Sequence, residues 1–275
     1  MSKLLKIGIV GCGAIGSSLA GVIVKDFSKQ TKLAALYDID ILKAKRLSKA
    51  VCKNKDLSVN NLDRQINKSE LVIECASARS SWSIAQNVLK NGRNIIIMSV
   101  GGVASYLEEL SNLAKKYNAC VYIPSGAISG IDALKAVRQQ EEIKEVILTT
   151  RKNPISFRGV KYIEEQKIRL DKLKKDKLLF SGPAKEAIKY FPQNINVASV
   201  LSLAGIGQER TQVKIIASPK TKRNIHEVQI VSSAGSIFTR TENVLHPKNP
   251  KTSYLAVLSA IATLKQILEP IKIGT

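Results

Sequence analysis

One stretch near the start of the chain restricts the fold more than any other. The apolar run Lys6-Ile7-Gly8-Ile9-Val10 leads directly into Gly11-Cys12-Gly13-Ala14-Ile15-Gly16, and an apolar-periodic segment follows at once. Strand, glycine-rich turn and helix in that order are the context in which a GxGxxG spacing reports dinucleotide binding. Gly11 makes the tight turn, Gly13 lets a pyrophosphate approach the backbone, and Gly16 lets helix and strand pack closely. Ala14 and Ile15 open the helix, whose first amides have no intrahelical acceptor and attract the pyrophosphate.

The pattern repeats downstream. Residues 14–26 read as helix, Leu33 to Tyr37 as a second strand, and that strand ends at Asp38. An acid there hydrogen-bonds the adenosine ribose 2'-hydroxyl and favours NAD. It also reads as a helix N-cap or a loop acid. Lys43 and Arg46 follow closely enough to receive a 2'-phosphate, so either NAD or NADP is expected. Residues 41–53 look helical, and 54–69 read as a short irregular crossover. A strand over 71–75 ends in Ala76-Ser77-Ala78, small residues suited to passing beneath a nucleotide, so Ala76 and Ser77 join the cofactor-binding candidates. A helix over 80–90, an all-apolar strand Ile95 to Met98, a helix over 104–117 and a strand Cys120 to Ile123 complete the alternation. All-apolar strands belong in a parallel sheet covered on both faces.

The character changes after Pro124. Residues 124–132 form a small-residue turn leading into a helix to about Gln140, and Ile143 to Arg151 alternates like a strand. The lysine-rich stretch 153–180 has poor periodicity and reads as surface loop with a ragged helix. Ser181-Gly182-Pro183 opens a helix to Tyr190, residues 191–196 form a turn, and a helix spans 197–204. Strands are expected over 211–217, 225–231 and 236–242, the last two as a hairpin, before a final helix of about 251–268. The expected class is α/β: a Rossmann-type parallel-sheet domain followed by an α+β substrate domain with a mixed or antiparallel sheet. The domain expectation is 1–123, with the C-terminal helix 250–268 packing back, and 124–249.

Composition excludes several classes. Across 275 residues, 44% hydrophobic and 24% charged content is ordinary globular composition. No apolar run approaches the roughly 20 residues that span a bilayer, and Met1-Ser2-Lys3 leads straight into the first strand with no cleavable-signal pattern. A cytoplasmic, membrane-free protein is expected. The net charge of +21 would draw anionic ligands. With 5% aromatic residues there is no stacking platform, so nucleic acid is not the expected partner. Cys12, Cys52, Cys75 and Cys120 lack metal-ligand spacing, and no metal site is expected.

His226 and His246 are the only histidines. On a two-residue period His226 shares a strand face with Val228 and Ile230, which suits either a half-buried histidine with a local hydrogen bond or a general acid/base. His246, in Leu245-His246-Pro247, reads as a surface turn residue. No zinc pattern, paired carboxylates, G-x-S-x-G or P-loop occurs. The residues alone thus indicate a dinucleotide-dependent oxidoreductase, with positive charge favouring an acidic substrate.

Several segments together resemble one family, the L-aspartate dehydrogenases. They are Gly11 to Gly16, Leu36-Tyr37-Asp38, Pro124 to Asp132, Asn194 to Ala198, Asn224-Ile225-His226-Glu227, Glu242-Asn243 and Asn249 to Tyr254. The resemblance implies that the second domain carries the substrate, that His226 is the active-site residue, and that Ala127 and Asn196 contact the dinucleotide. It implies oxidation of L-aspartate by NAD or NADP to iminoaspartate, which hydrolyses to oxaloacetate and ammonia or passes to quinolinate synthase. It also implies a homodimer. Candidates to hold the substrate carboxylates are Arg151, Lys222, Arg223 and Asn224. The competing expectations are a homoserine dehydrogenase or dihydrodipicolinate reductase on the same plan, and a non-catalytic nucleotide sensor or polyanion-binding protein.

Overall fold

A computed structural model describes residues 3–139, 142–191, 196–247 and 249–274. The chain divides into two compact units, Met1–Pro124 with Val257–Ile271, and Ser125–Ala256 with Lys272–Thr275. Residues 192–195 of the turn expected over 191–196, and Met1, Ser2 and Gln140, lie outside the described residues.

The first unit begins β1 (Leu5–Val10), α1 (Ala14–Lys25), β2 (Thr31–Tyr37), α2 (Ile41–Val51) and α3 (Leu62–Asn67). It continues β3 (Leu71–Glu74), α4 (Ala78–Lys90), β4 (Asn94–Ile97), α5 (Leu107–Lys116) and β5 (Val121–Tyr122). Strand order is β2-β1-β3-β4-β5, with every neighbouring pair parallel. Because β1 lies between β2 and β3, the chain direction across the sheet reverses there. Ligands of such sheets bind in the crevice beyond the strands' carboxyl ends at this switch point. Consecutive residues Ile95, Ile96 and Ile97 are each fully buried, as both-face coverage requires. The crossover is less irregular than its polar sequence indicates, since it contains α3. Asn61 caps this helix by accepting from the Arg64 amide at 2.8 Å, and six residues are too few to display a helical period.

The second unit comprises α6 (Ile131–Arg138), β6 (Ile143–Lys152), α7 (Lys161–Glu165), β7 (Lys177–Pro183), α8 (Ala184–Tyr190), α9 (Asn196–Ala204) and α10 (Gly207–Arg210). Next come β8 (Gln212–Ala217), β9 (Asn224–Ser232), β10 (Gly235–Asn243), β11 (Leu245–His246), β12 (Asn249–Ser253) and the start of α11 (Tyr254–Leu268). Its sheet runs β10-β9-β6-β8-β7 and is mixed, because β6 and β8 are parallel and the other pairs antiparallel. Val146, Leu148, Val213, Ile215, Val228 and Ile230 project from one face into a core with Leu134, Ala187, Ala198 and Leu201.

Two segments differ from their sequence reading. The last helix starts at Tyr254, because Asn249–Ser253 pairs as β12 with β11. Val257, Ala260 and Leu264 of α11 are buried in the core of the first unit. The stretch 153–180 is not merely loop and ragged helix: it holds 3-10 turns and α7, and β7 begins within it at Lys177. Its order comes from aromatic packing, in which Phe157 meets Phe191 edge-on at 6.3 Å and Tyr162 lies 5.2 Å from Phe191.

Candidate active site

The glycine turn leaves β1 and enters α1, and its three glycines meet different surroundings. Gly11 has φ +95°, and a Cβ there would lie 2.4 Å from the Cys75 carbonyl oxygen. A Cβ on Gly16 would lie 2.0 Å from the Gly11 carbonyl oxygen. Gly13 is the opposite case, since its Cβ would meet nothing within 4 Å. Backbone at the N-terminus of α1, where Ala14 and Ile15 begin the helix, therefore faces open space that a side chain would fill. That arrangement suits a dinucleotide pyrophosphate.

Asp38, just beyond β2, holds this turn in place. Its carboxylate accepts from the Cys12 amide at 2.7 Å and from the Asp40 amide at 2.9 Å, while Asp40 itself is the N-cap of α2. The N-cap reading thus belongs to Asp40. The Cys12 thiol is pushed up to about 12 by burial and then by Asp38, and burial raises the Cys75 thiol well above its usual range. Both stay protonated near neutrality and are poor nucleophiles.

A residue absent from the sequence reading organises the neighbouring loops. Glu74 ends β3, is fully buried, and accepts from the Ala76 amide at 2.8 Å and the Ser99 amide at 2.9 Å. Its carboxyl is raised above the ordinary range by burial, and the two amides oppose that shift. The small-residue loops after β3 and β4, including Ala76 and Ser77, are thereby tied to one side chain. Replacing Glu74 by glutamine is expected to cost about 1–3 kcal/mol, because the amide NH2 then faces a buried backbone donor. Thermal melting of the variant checks this.

The second unit carries the ionisable chemistry at one end of its sheet. On β6, Val146 and Leu148 share a buried face with Thr150 and Lys152. On antiparallel β9, Val228 and Ile230 share that face with His226 and Asn224. The apolar ends coincide, and so do the polar ends. His226 Nδ1 is 3.0 Å from Thr150 Oγ1, its cross-strand partner. His226, Thr150, Asn224 and Lys152 are 2, 3, 3 and 5% exposed. Burial, then the charge of Lys152, lowers His226 to about 3. Burial alone lowers Lys152 to about 8. Asn224 Nδ2 donates to Ser253 Oγ at 3.2 Å.

The Ala127 carbonyl accepts from Thr241 Oγ1 at 3.1 Å and from Asn243 Nδ2 at 3.0 Å, tying its loop to β10. Asn196 is the exposed first residue of α9.

Of the four carboxylate-binding candidates, only Asn224 lies on the His226 face. Arg151 occupies the opposite face of β6, where its guanidinium meets Asp176 at 3.2 Å and Glu227 at 3.7 Å. The same face carries Arg240 with Glu227 and Glu242. Arg223 lies 3.9 Å from Glu242, and Lys222 is exposed in the β8–β9 connection. The alternation Val146-Leu148-Thr150-Lys152 is the sequence signal that puts Lys152, not Arg151, on the buried face. His246 also departs from its surface reading. It is 3% exposed on β11, with its ring 5.8 Å from that of Tyr254. Among the described residues no cluster of metal-ligating side chains occurs.

The family described as "Aspartate dehydrogenase, C-terminal" matches residues 132–267, and "Homoserine dehydrogenase, NAD binding domain" matches residues 11–124. An L-aspartate dehydrogenase of Methanosarcina mazei is 45% identical over 99% of this chain and 100% of its own length. One from Nitrosopumilus maritimus is 37% identical over 98% of this chain and 99% of its own length. The crystal structure of an aspartate dehydrogenase from Thermotoga maritima superposes with TM-score 0.72 at 28% identity, covering 99% of this chain and 100% of that one. A homoserine dehydrogenase from Thiobacillus denitrificans, at 15% identity and TM-score 0.62 over 97% of this chain and 73% of its own, shares the fold. A glycine cradle on a parallel sheet, a buried histidine on a mixed sheet and full-length similarity at this level together make the chain a member of the L-aspartate dehydrogenase family.

Proposed function

We infer that the protein is an NAD(P)-dependent L-aspartate dehydrogenase, which removes hydride from C2 of L-aspartate and yields iminoaspartate, with oxaloacetate and ammonia as hydrolysis products. The observation that carries this reading is the full-length similarity to L-aspartate dehydrogenases combined with the buried His226–Thr150 pair. Bound NAD or NADP supplies the hydride acceptor, C4 of its nicotinamide. Gly11, Gly13, Ala14, Ile15 and Gly16 form its pyrophosphate cradle, Asp38 meets the ribose, and Ala76, Ser77, Ala127 and Asn196 complete the cofactor-binding set.

His226 is the proton acceptor in this reading. The amino group of aspartate must be neutral before C2 gives up hydride, and His226 Nε2 is the ring nitrogen that Thr150 does not use. Acceptance at Nε2 requires the tautomer in which Nδ1–H donates to Thr150 Oγ1. After hydride leaves, water adds to the C=N bond and ammonia departs, and the same ring relays the proton. Production of NADH from aspartate, followed by absorbance, tests the reading. Turnover of homoserine or dihydrodipicolinate instead of aspartate would overturn it.

Asp38→Asn is expected to lower the ratio of kcat/KM for NAD over NADP at least about tenfold. It keeps an acceptor for the Cys12 amide while removing the charge that opposes a 2'-phosphate. Paired kinetics with both coenzymes check this.

No helix among the described residues is long and apolar enough to cross a membrane. We place the enzyme in the cytoplasm as a homodimer that supplies NAD biosynthesis, with iminoaspartate consumed by quinolinate synthase. The sheet face opposite His226 supports the dimer. It presents Phe238 at 65% exposure, and Ile147, Val231 and Ile216 are half-buried on the same face. Sedimentation of the purified protein reads the oligomeric state.

A further inference from the structure

We propose that Glu74 is a positioning residue for the nicotinamide half of the dinucleotide, because it fixes the two backbone loops that receive that half. The proposal deepens the dinucleotide-binding reading and rests on it. Strand order β2-β1-β3-β4-β5 divides the crevice at β1. Asp38, just beyond β2, is the acid of the adenosine side. The other half of a dinucleotide bound across the switch point then lies towards the carboxyl ends of β3 and β4. The end of β4 is two strand spacings from the glycine turn, about 10 Å, which a ribose and its ring can cover.

The loops at those two ends offer backbone to a ligand. Ala76 and Ser77 are exposed after β3, and Val100–Gly102 forms a 3-10 turn after β4. A Cβ on Gly102 would lie 1.9 Å from the Ala78 carbonyl oxygen, so the second loop is pressed against the first turn of α4. One carboxylate joins the pair. The Ala76 amide donates to Glu74 Oε1 at 2.8 Å, and the Ser99 amide donates to Oε2 at 2.9 Å. The carbonyl of Ser99 is held as well, accepting from Ser81 Oγ of α4 at 3.0 Å. Glu74 and Ser81 are both fully buried, so each acts through the backbone it holds. Burying a carboxylate is costly, and neutral groups could tie two loops without that cost. A single anion that accepts from both amides sets the spacing between the loops, as a preorganised binding surface requires.

ADP carries the adenosine and pyrophosphate without the nicotinamide half, and so separates the two sides of the crevice. Fluorescence titration of the full-length protein with NADH, and displacement of NADH by ADP, give one affinity for each side. In Glu74→Gln the side-chain NH2 meets one of the two backbone donors and frees that loop. NADH affinity should then fall at least about tenfold, while ADP affinity stays within about twofold of wild type. Ser81→Ala releases only the Ser99 carbonyl and should lower the ratio of NADH to ADP affinity about threefold. This milder variant decides the question if Glu74→Gln does not fold. A purely structural glutamate would lower the melting temperature and leave the ratio of the two affinities as in wild type. An unchanged ratio in Glu74→Gln, or in Ser81→Ala should the first variant not fold, overturns the proposal while wild-type binding upholds the dinucleotide reading. Wild type that binds neither NADH nor ADP overturns both.

Discussion

His226→Ala is expected to lower kcat for L-aspartate by about 10²–10⁴-fold, the range over which a positioned general base contributes. The loss should fall on kcat, since the side chain acts on the amino proton and the cradle that binds the dinucleotide lies on other residues. Near wild-type kcat in His226→Ala would remove the acid/base role. Stability offers an independent reading of the same side chain. The imidazole is lowered from its ordinary 6.5 to about 3 by burial and Lys152, so the unfolded chain binds a proton that the folded chain refuses. Its contribution is present above pH 6.5 and is lost as pH falls towards 3. His226→Asn should therefore flatten the decline of melting temperature across that window. An unchanged slope would mean that the imidazole is not held neutral in the fold.

The second large effect is a contrast between two glycines of one motif. Gly16→Ala places a Cβ 2.0 Å from the Gly11 carbonyl oxygen, both groups being backbone-fixed. Relief requires the helix to move off the strand, so a loss of at least about 1–3 kcal/mol in stability is expected. Gly13→Ala meets nothing within 4 Å and should melt as the wild type does. Its methyl group instead occupies the space in front of the first amides of α1. Dinucleotide affinity should fall at least about tenfold, or 1.4 kcal/mol. Melting curves and NADH fluorescence titrations of both variants separate the packing glycine from the binding glycine. Equal melting losses in both would contradict the assignment.

Why some of this was legible in the sequence follows from the range over which each feature is determined. The parallel sheet is written locally: each strand is a short apolar run, and each loop at its carboxyl end is made of small residues. The start of the final helix is not legible locally, because Asn249-Pro250 resembles a helix opening. Pairing of Leu245 with Ser253, a non-local contact, makes it strand instead. The aromatic cluster of Phe157, Tyr162, Phe180 and Phe191 is likewise invisible to periodicity, since its members come from separate turns, helices and a strand.

The active site shows the same limit. His226 was conspicuous as one of two histidines. Arg151 drew attention by charge, yet strand alternation assigns it to the face opposite the imidazole, where acids neutralise it. Lys152, whose charge acts on His226, is one of many lysines in a chain of net charge +21. Only the coincidence of the polar ends of β6 and β9 distinguishes it. Glu74 was similarly hidden, because a strand-terminal acid announces nothing until its two amide partners are seen.

The central claim is that hydride leaves C2 of L-aspartate for the dinucleotide. Incubating the protein with L-aspartate deuterated at C2 and with NAD, then examining the reduced coenzyme by mass spectrometry, tests it directly. The account predicts one deuterium in each reduced coenzyme, with oxaloacetate and ammonia formed in equal amounts. Aspartate consumed without deuterium reaching the coenzyme, or no consumption at all, would contradict it.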